Sequence, residues 1–426
     1  MNSNEDQIEK FFNSFNSLNE EFFIEIVENK LGISQECFKI KLILISAATG
    51  KNENYASLVY RAKIKIKLNE TKSLKVVDVI IKASLMSIPG LKEFEVFPRE
   101  RFVYEEILSS FEKIWFEKSG KKIQFSPQGL KFTTDPYEII VLDDLKANGY
   151  VMLDRKVGLT VEQGKMVLSK IAKFHALSAL RYQKEGVLNN CLDRSKAPMD
   201  IDSDFGKGHV RMFTNLIKAL EKLDDCKIYV EKLKKFNARS IFNKLLNDDS
   251  PMKCGFKVLN HGDLWTNNAM FKFNGDAAVD VLLFDYQISI WGSPVFDLIG
   301  FIFTSIQEEF RTNKFDELIE FYHQELSEAL QIIAYEQHIP TLAEIHEELM
   351  EKNHLAVLVP SFLFFVKYSR NEPIDIEAMM SDTNDVELDQ IYKQIYECPV
   401  LVKSIKQLLP FLYERGFLDC KPADSI

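Results

Sequence analysis

The sequence predicts an α+β protein in which an antiparallel sheet precedes a larger helical region. In the first third of the chain, short runs alternate between apolar and polar residues, which is the pattern of strands with one buried face. After Leu145, apolar residues recur mostly at helical spacing. No flexible linker separates the two regions, so we expect two packed lobes with a cleft between them.

The composition excludes several classes of protein. The 426 residues include 53 Lys and Arg against 63 Asp and Glu, and the net charge of -10 argues against a nucleic-acid partner. The N-terminus is polar and acidic, unlike a targeting signal, and no apolar run reaches the roughly 18 residues of a membrane span. The six cysteines show neither a CxxC pair nor zinc spacing. We therefore expect a cytoplasmic protein with reduced thiols and no membrane span.

The elements of the first region follow from its pattern. Residues 1–35 favour helices, and "FKIKLILISAA" then begins a sheet. In "ASLVYRAKIKIKL", apolar residues from Ala62 to Leu68 alternate with basic ones, which predicts an antiparallel hairpin with the preceding strand. A third strand, "VVDVIIKASL", is followed by an amphipathic helix that contains Glu100. The last strand of the region is "YEIIVLDDL".

The second region is predicted to be helical with one β insert. A Thr160-x-x-Gln163 capping box starts a long helix that carries His175. Further helices precede the insert, which consists of "VLNH", a polar loop, "AMFKF", an Asn274-Gly275 turn and "AVDVLLFDY". The apolar run "HLAVLVPSFLFFVKY" near the C-terminus is predicted to be a buried helix.

The polar loop "HGDLWTNN" is the first candidate functional element. It contains Asp263 and Asn268, and the Asn274-Gly275 hairpin folds the strand that ends near Asp285 back towards it. Two carboxylates and one amide oxygen then converge, and oxygen ligands in small number are typical of Mg²⁺ bound together with phosphates. A carboxylate left outside the metal shell accepts the proton of a hydroxyl nucleophile. This pattern favours phosphoryl transfer.

The first region supplies complementary groups. Lys82 lies within an apolar strand, where a buried ammonium requires anionic partners such as phosphates and the carboxylate of Glu100. The polar turn "GKNENYAS", which contains Gly50, Asn52 and Asn54, is predicted to cover phosphates with backbone N–H groups.

The order of these motifs resembles the protein-kinase-like fold, with "HGD" and "DYQ" in place of the protein-kinase "HRD" and "DFG". Most closely the chain resembles the insect ecdysteroid-kinase-like (CHK kinase-like) family, relatives of choline and aminoglycoside kinases. The matching phrases run in family order from about residue 50 to 300: "NENYASLVYR", "IIKASL", "FPRERFVYEEIL", "VLDDLKANGYVMLDRKVGL", "AKFHALSAL", "HGDLWTNNAMF", "LLFDYQ" and "SPVFDL".

The resemblance implies a bilobal fold with a small sheet lobe and a large helical lobe. It implies residues 1–35 as an extension, 36–145 as the nucleotide-binding lobe, and 146–426 as the lobe with the catalytic loop and acceptor pocket. The implied site residues are the base Asp263, the metal ligands Asn268 and Asp285, the ion pair Lys82–Glu100, the phosphate turn with Gly50, Asn52 and Asn54, the adenine hinge at Asp144 and Leu145, and the supporting His261 and Asp297.

The implied activity is transfer of the γ-phosphoryl group of ATP, with Mg²⁺, to a hydroxyl of an ecdysteroid or related sterol. A choline-like or aminoglycoside-like acceptor is an alternative, as is a pseudokinase that binds nucleotide or steroid without transfer. Individual residues have plainer interpretations. Lys82 fits an edge-strand lysine or a snorkelling side chain. Asp143 and Asp144 fit solvated carboxylates, His175 fits a core histidine, and Trp265 fits either the acceptor site or loop packing.

The chain departs from the family at Asn52, where relatives usually have glycine. Asn52→Gly removes a side chain from the phosphate turn and allows positive φ, but it also increases the mobility of the free turn. These effects oppose each other, so we expect ATP affinity to change by no more than about 1 kcal/mol, roughly fivefold. Calorimetry and turnover of both proteins check this. An inert parent that the glycine variant activates would instead support the pseudokinase.

Overall fold

The computed structural model describes residues 20–48, 57–84, 96–135, 138–186, 192–193, 199–367 and 385–425. The predicted phosphate turn, with Gly50, Asn52 and Asn54, lies outside the described residues. The chain divides into two compact units. We call Met1–Ser87 with Pro127–Gly149 the sheet unit, and Ile88–Ser126 with Tyr150–Ile426 the helical unit. The predicted limits 1–35, 36–145 and 146–426 stay a prediction.

The sheet unit is built on one antiparallel sheet with the strand order β1-β2-β3-β5-β4. Its strands are β1 (Phe38–Ala47), β2 (Ser57–Leu68), β3 (Leu74–Ser84), β4 (Gly129–Thr133) and β5 (Ile139–Asp143). The predicted hairpin is confirmed, since Ala62, Ile64 and Ile66 of β2 are fully buried. Helix α1 (Glu20–Leu31) adds Phe23, Ile26 and Val27 to this core.

Lys82 lies on β3, which pairs with β2 on one side and β5 on the other. Its side chain is buried, and the residue is only 8% exposed. The interpretation of Lys82 as an edge-strand lysine is therefore wrong, because β3 is an inner strand.

The first described element of the helical unit is a continuous helical segment that changes its winding. It consists of α2 (Val96–Phe102), a π-helical stretch (Val103–Leu108) and α3 (Ser109–Ser119). Widening to π-helix inserts an extra residue into the turn and is common near functional sites. Glu100 lies on α2 and is 1% exposed.

The remaining helices confirm the predicted helical character of this region. They are α4 (Val161–Glu185), α5 (Asp204–Leu220), α6 (Lys227–Leu233), α7 (Ala238–Asn247), α8 (Val295–Ser305), α9 (Phe315–Ile332), α10 (Leu342–Glu351), α11 (Asn353–Lys367), α12 (Asp385–Tyr396) and α13 (Pro399–Glu414). The predicted capping box is present at the start of α4, where Thr160 and Gln163 bond reciprocally.

The β insert forms two small sheets. In the first, β7 (Val258–Asn260) pairs with β10 (Ile290–Gly292). In the second, β8 (Ala269–Asn274) lies between β6 (Tyr150–Met152) and β9 (Ala277–Leu283), and the predicted Asn274-Gly275 turn joins β8 to β9.

The apolar run near the C-terminus forms α11, which is buried along most of its length and contains Pro360, as predicted. Among the described residues, no single helix is long and apolar enough to cross a membrane. One pair, α10 with α11, meets the length and composition criteria together, but it is bent by 64°.

Candidate active site

The loop between β7 and β8 (residues 261–268, the HGD loop) is closed by the side chain of Asn268. Its Nδ2 donates to the backbone oxygen of Asp263 and to Oδ2 of the same residue, both at 2.8 Å. Because these two bonds use the amide hydrogens, the carbonyl oxygen Oδ1 is the atom that Asn268 offers to a cation. The 3₁₀ turn Thr266–Asn268 places this side chain across the loop.

Asp285 lies directly after a contact between the HGD loop and the end of β9. The backbone nitrogen of Phe284 donates to the carbonyl oxygen of Asn268 at 3.1 Å. Asp285 itself has φ +70°, a left-handed conformation that costs free energy for most residues and that aspartate tolerates better than most. The structure thus brings Asp263, Asn268 and Asp285 together, as the sequence predicts.

Burial, and after it the negative charge of Asp285, raises the pKa of Asp263 to about 7. The hydrogen bond from Asn268 acts in the opposite direction. A pKa close to ambient pH suits a group that takes a proton and returns it to solvent.

Asp297, at the start of α8, supports the HGD loop. Its side chain is fully buried. Oδ2 accepts a hydrogen bond from the backbone nitrogen of His261 at 2.7 Å, and Oδ1 accepts one from Gly262 at 3.0 Å. His175 Nε2 lies 3.2 Å from Oδ2 and donates a third bond. One carboxylate therefore fixes two consecutive backbone groups before Asp263.

His261 bonds both to the residue before Asp285 and to the backbone of Asp263. Its Nε2 donates to the carbonyl oxygen of Phe284 at 3.1 Å, and its Nδ1 accepts from the backbone nitrogen of Asp263 at 3.4 Å. Burial lowers the pKa of His261, so the ring is neutral at physiological pH. The contacts fit the structural role predicted for this residue.

Position 262 requires glycine because the backbone at Ile288 approaches it closely. Its φ is +86°, and a Cβ at this position would lie 2.2 Å from the carbonyl oxygen of Ile288. No side chain fits there, because the obstacle is backbone.

Several supporting contacts were not predicted from the sequence. His175 is a buried core histidine, as its plainer interpretation states, but it also links Asp297 to the hydroxyl of Tyr322, which lies 2.8 Å from Nδ1. Ser178 of α4 accepts from the backbone nitrogen of Leu259 at 2.9 Å. Ser305 of α8 accepts from that of Thr266 at 3.0 Å. Each is a short-range contact between residues distant in sequence, which periodicity does not reveal.

The segment after Asp285 packs against the helix that carries Glu100. The ring of Tyr286 lies 4.5 Å from that of His261 and 5.8 Å from that of Tyr104. Arg99, which is 1% exposed, donates from Nη1 to the carbonyl oxygen of Gln287 at 3.2 Å. The start of this helix is thereby fastened to the residues that follow Asp285.

Asp143 and Asp144 of the sheet unit are also buried. Asp143 forms an ion pair with Lys30 at 2.5 Å, and Asp144 forms one with Arg61. The interpretation of both as solvated carboxylates is therefore wrong. The backbone nitrogen of Asn148 donates to the carbonyl oxygens of Asp144 and Leu145 at 3.2 and 3.1 Å. Adenine binding at this backbone stays a prediction, as does the ion pair between Lys82 and Glu100, which belong to different units.

The donor set fits a small hard cation. Asp263 and Asp285 are close enough for one charge to raise the pKa of the other, and Asn268 offers a neutral oxygen. These are the ligand types that Mg²⁺ prefers. A divalent cation would also relieve the repulsion between the two carboxylates.

Comparison with known proteins gives one family. The model of the ecdysteroid kinase-like family matches residues 51–335 of the chain. No curated protein sequence matches this chain. Among solved structures, a protein from Ralstonia eutropha JMP134, provisionally described as an aminoglycoside phosphotransferase, is similar with a TM-score of 0.38 and 11% identity. The alignment covers 89% of this chain and 98% of that chain.

Replacement of Asp297 by asparagine tests the support of the loop. The amide retains one acceptor oxygen but places an NH₂ group against a backbone N–H, which leaves a buried donor unsatisfied. We expect the free energy of unfolding to fall by about 1–3 kcal/mol, together with lower turnover. Urea denaturation and steady-state kinetics measure these effects.

Asp316→Asn provides the matched control, since Asp316 forms an exposed bidentate ion pair with Arg415. Its loss should lower the free energy of unfolding by less than about 1 kcal/mol and leave turnover unchanged. If Asp297→Asn behaves like this control, Asp297 does not support the loop.

Proposed function

Because the chain belongs to the ecdysteroid kinase-like family, we propose that it is an ATP- and Mg²⁺-dependent kinase that phosphorylates a hydroxyl group of a lipophilic small molecule. The convergence of Asp263, Asn268 and Asp285 at the HGD loop carries this proposal. Lys82 supports it, because an ammonium buried in an inner strand suits the phosphates of a nucleotide.

In the proposed reaction, the acceptor oxygen attacks the γ-phosphorus of ATP, and the bond from that phosphorus to the β–γ bridging oxygen breaks to release ADP. The carboxylate of Asp263 takes the proton of the acceptor hydroxyl, for which a pKa of about 7 is well matched. Bound Mg²⁺ would neutralise charge on the phosphate oxygens. Asp285 and the Oδ1 atom of Asn268 would hold it, while Asp297 keeps the loop in position.

A sterol-like acceptor is supported by the aromatic side chains of the helical unit. Around the buried ring of His209 lie the half-buried rings of Phe205 and Phe362, at 4.2 and 5.7 Å, together with the buried ring of Phe242. Aromatic rings of this kind suit a flat apolar molecule better than a polycationic aminoglycoside, whereas a choline-like cation also binds aromatic faces. Choline-like and aminoglycoside-like acceptors are the alternatives that the experiment must separate.

Turnover with a panel of acceptors tests the proposal. We expect ATP-dependent phosphorylation of an ecdysteroid or another sterol alcohol, and little of choline or an aminoglycoside. In Asp263→Asn, ATP–Mg²⁺ binding should persist while turnover falls by about 10²–10⁴-fold, the usual contribution of a general base. Calorimetry and product analysis by mass spectrometry provide the two readouts. Near-normal turnover of the variant would remove Asp263 from this role.

Asp285→Asn tests the metal ligand. A neutral amide replaces a charged oxygen, so we expect the Mg²⁺ concentration for half-maximal turnover to rise at least tenfold. The shift in melting temperature on adding Mg²⁺–ATP should shrink in parallel, which gives a readout independent of turnover. Mg²⁺ titrations of variant and parent that superimpose would show that Asp285 is not a ligand.

A further inference from the structure

Three potential metal ligands of different chemistry meet at a site away from the HGD loop. The Sγ atom of Cys254, a ring nitrogen of His338 and a carboxylate oxygen of Glu344 lie within 4.8 Å of one another. In the described part of the chain, this is the one group of three such side chains with that spacing. The thiol is free, and Cys254 and Glu344 are partly buried.

Two tight local structures hold these side chains in place. Cys254 lies in a turn in which Met252 N donates to Phe256 O at 2.9 Å and Gly255 N donates to Met252 O at 2.8 Å. The ring of Phe256 packs edge-on against that of Tyr335 at 6.1 Å, which brings this turn to the segment that precedes α10.

Glu344 is oriented by the capping box at the start of α10. Its Oε2 accepts from the backbone nitrogen of Thr341 at 2.7 Å and from its hydroxyl at 2.9 Å. His338 Nε2 lies 2.9 Å from Oε1 and 2.8 Å from Oε2. Thr341 thus fixes one oxygen of the carboxylate, and Oε1 is directed at the imidazole beside the thiol.

The chemistry of this group suits zinc rather than magnesium. Sulfur, imidazole nitrogen and one carboxylate oxygen are the usual ligands of Zn²⁺, whereas Mg²⁺ takes oxygen alone. A thiolate and a carboxylate together neutralise the ion. The ligand atoms of a tetrahedral zinc site stand roughly 3.3–3.6 Å apart. Zinc binding would therefore move His338 Nε2 and the carboxylate of Glu344 apart by about 0.5 Å from their hydrogen-bond distance and bring Sγ of Cys254, within 4.8 Å of both, closer by up to about 1 Å. The imidazole of His338 is 52% exposed and has room to move.

We propose that Cys254, His338 and Glu344 form a Zn²⁺ site with a water molecule as the fourth ligand. The ion fastens the turn at Cys254 to the segment before α10. Because β7 begins at Val258 and leads into His261, the site anchors the strand that enters the HGD loop. The ion stabilises this connection, and the site is independent of the proposed kinase activity.

Cobalt titration of the full-length protein tests the site. The protein is treated with chelator, kept reduced with a reductant that does not bind metal, and titrated with Co²⁺ in saturating Mg²⁺. We expect one Co²⁺ to bind with the near-ultraviolet absorption of a thiolate ligand, and Zn²⁺ to displace it. Zn²⁺ should also raise the melting temperature of the parent.

Three variants locate the ligands, and a fourth serves as a control. Cys254→Ser should abolish the thiolate absorption, and Cys37→Ser, at an exposed cysteine of the sheet unit, should leave it unchanged. His338→Ala, at an exposed side chain, should weaken Co²⁺ binding at least tenfold. Glu344→Gln should also weaken Co²⁺ binding at least tenfold. Its amide oxygen still caps α10, but the exposed ion pair with His338 is lost, so its melting temperature in chelator should fall only slightly below that of the parent.

The proposal is overturned if the parent shows no thiolate–cobalt absorption, or if Cys254→Ser retains it. It is equally overturned if both His338→Ala and Glu344→Gln bind Co²⁺ as the parent does. A cooperative melting transition in chelator shows that each variant is folded. If Cys254→Ser does not fold, His338→Ala and Glu344→Gln still test the site.

Discussion

The carboxylate of Asp297 accepts hydrogen bonds from three nitrogen atoms, two in the backbone of the HGD loop and one on the ring of His175. It thereby joins the loop to α8, where Asp297 lies, and to α4, which carries His175. A hydrogen bond to a buried charged acceptor contributes more free energy than one to a neutral acceptor, and its loss is more destabilising. The position of Asp263 depends on this anchor, because Asp263 directly follows the two backbone groups that it holds.

The electrostatics of the site follow from placing two carboxylates in a partly buried volume. Burial, and after it the charge of Asp285, raises the pKa of Asp263 to about 7, so without a cation both the charged and the protonated forms of Asp263 are populated near neutral pH. A divalent ion beside Asp285 would shift this balance towards the carboxylate, which can accept a proton. Metal binding and the charge state of the proposed base would therefore be linked, and the amide of Asn268 is bonded to the carboxylate of Asp263.

The strands, the capping box and the meeting of Asp263 with Asp285 were predictable because each rests on local pattern or on a single hairpin turn. The supports of the loop were not. Ser178 and Ser305 are ordinary helix residues in the sequence, and their roles follow only from contacts with Leu259 and Thr266. Likewise, only the folded structure shows that the carbonyl oxygen of Ile288 leaves no space for a side chain at position 262. The spacing of the cysteines does not predict the proposed zinc site, because Cys254 and His338 are far apart along the chain.

Strand β7 connects the proposed zinc site to the HGD loop. Other contacts also hold β7 in place, and they limit how far zinc binding can affect the loop. Leu259 bonds to Ser178 on one side, and β7 pairs with β10 on the other. An ion that binds only the folded state stabilises it by mass action, whatever happens at the loop. It changes turnover only if the loop has a second conformation that binds the ion with a different affinity. Since β7 is held on both sides independently of Cys254, zinc should affect stability much more than turnover.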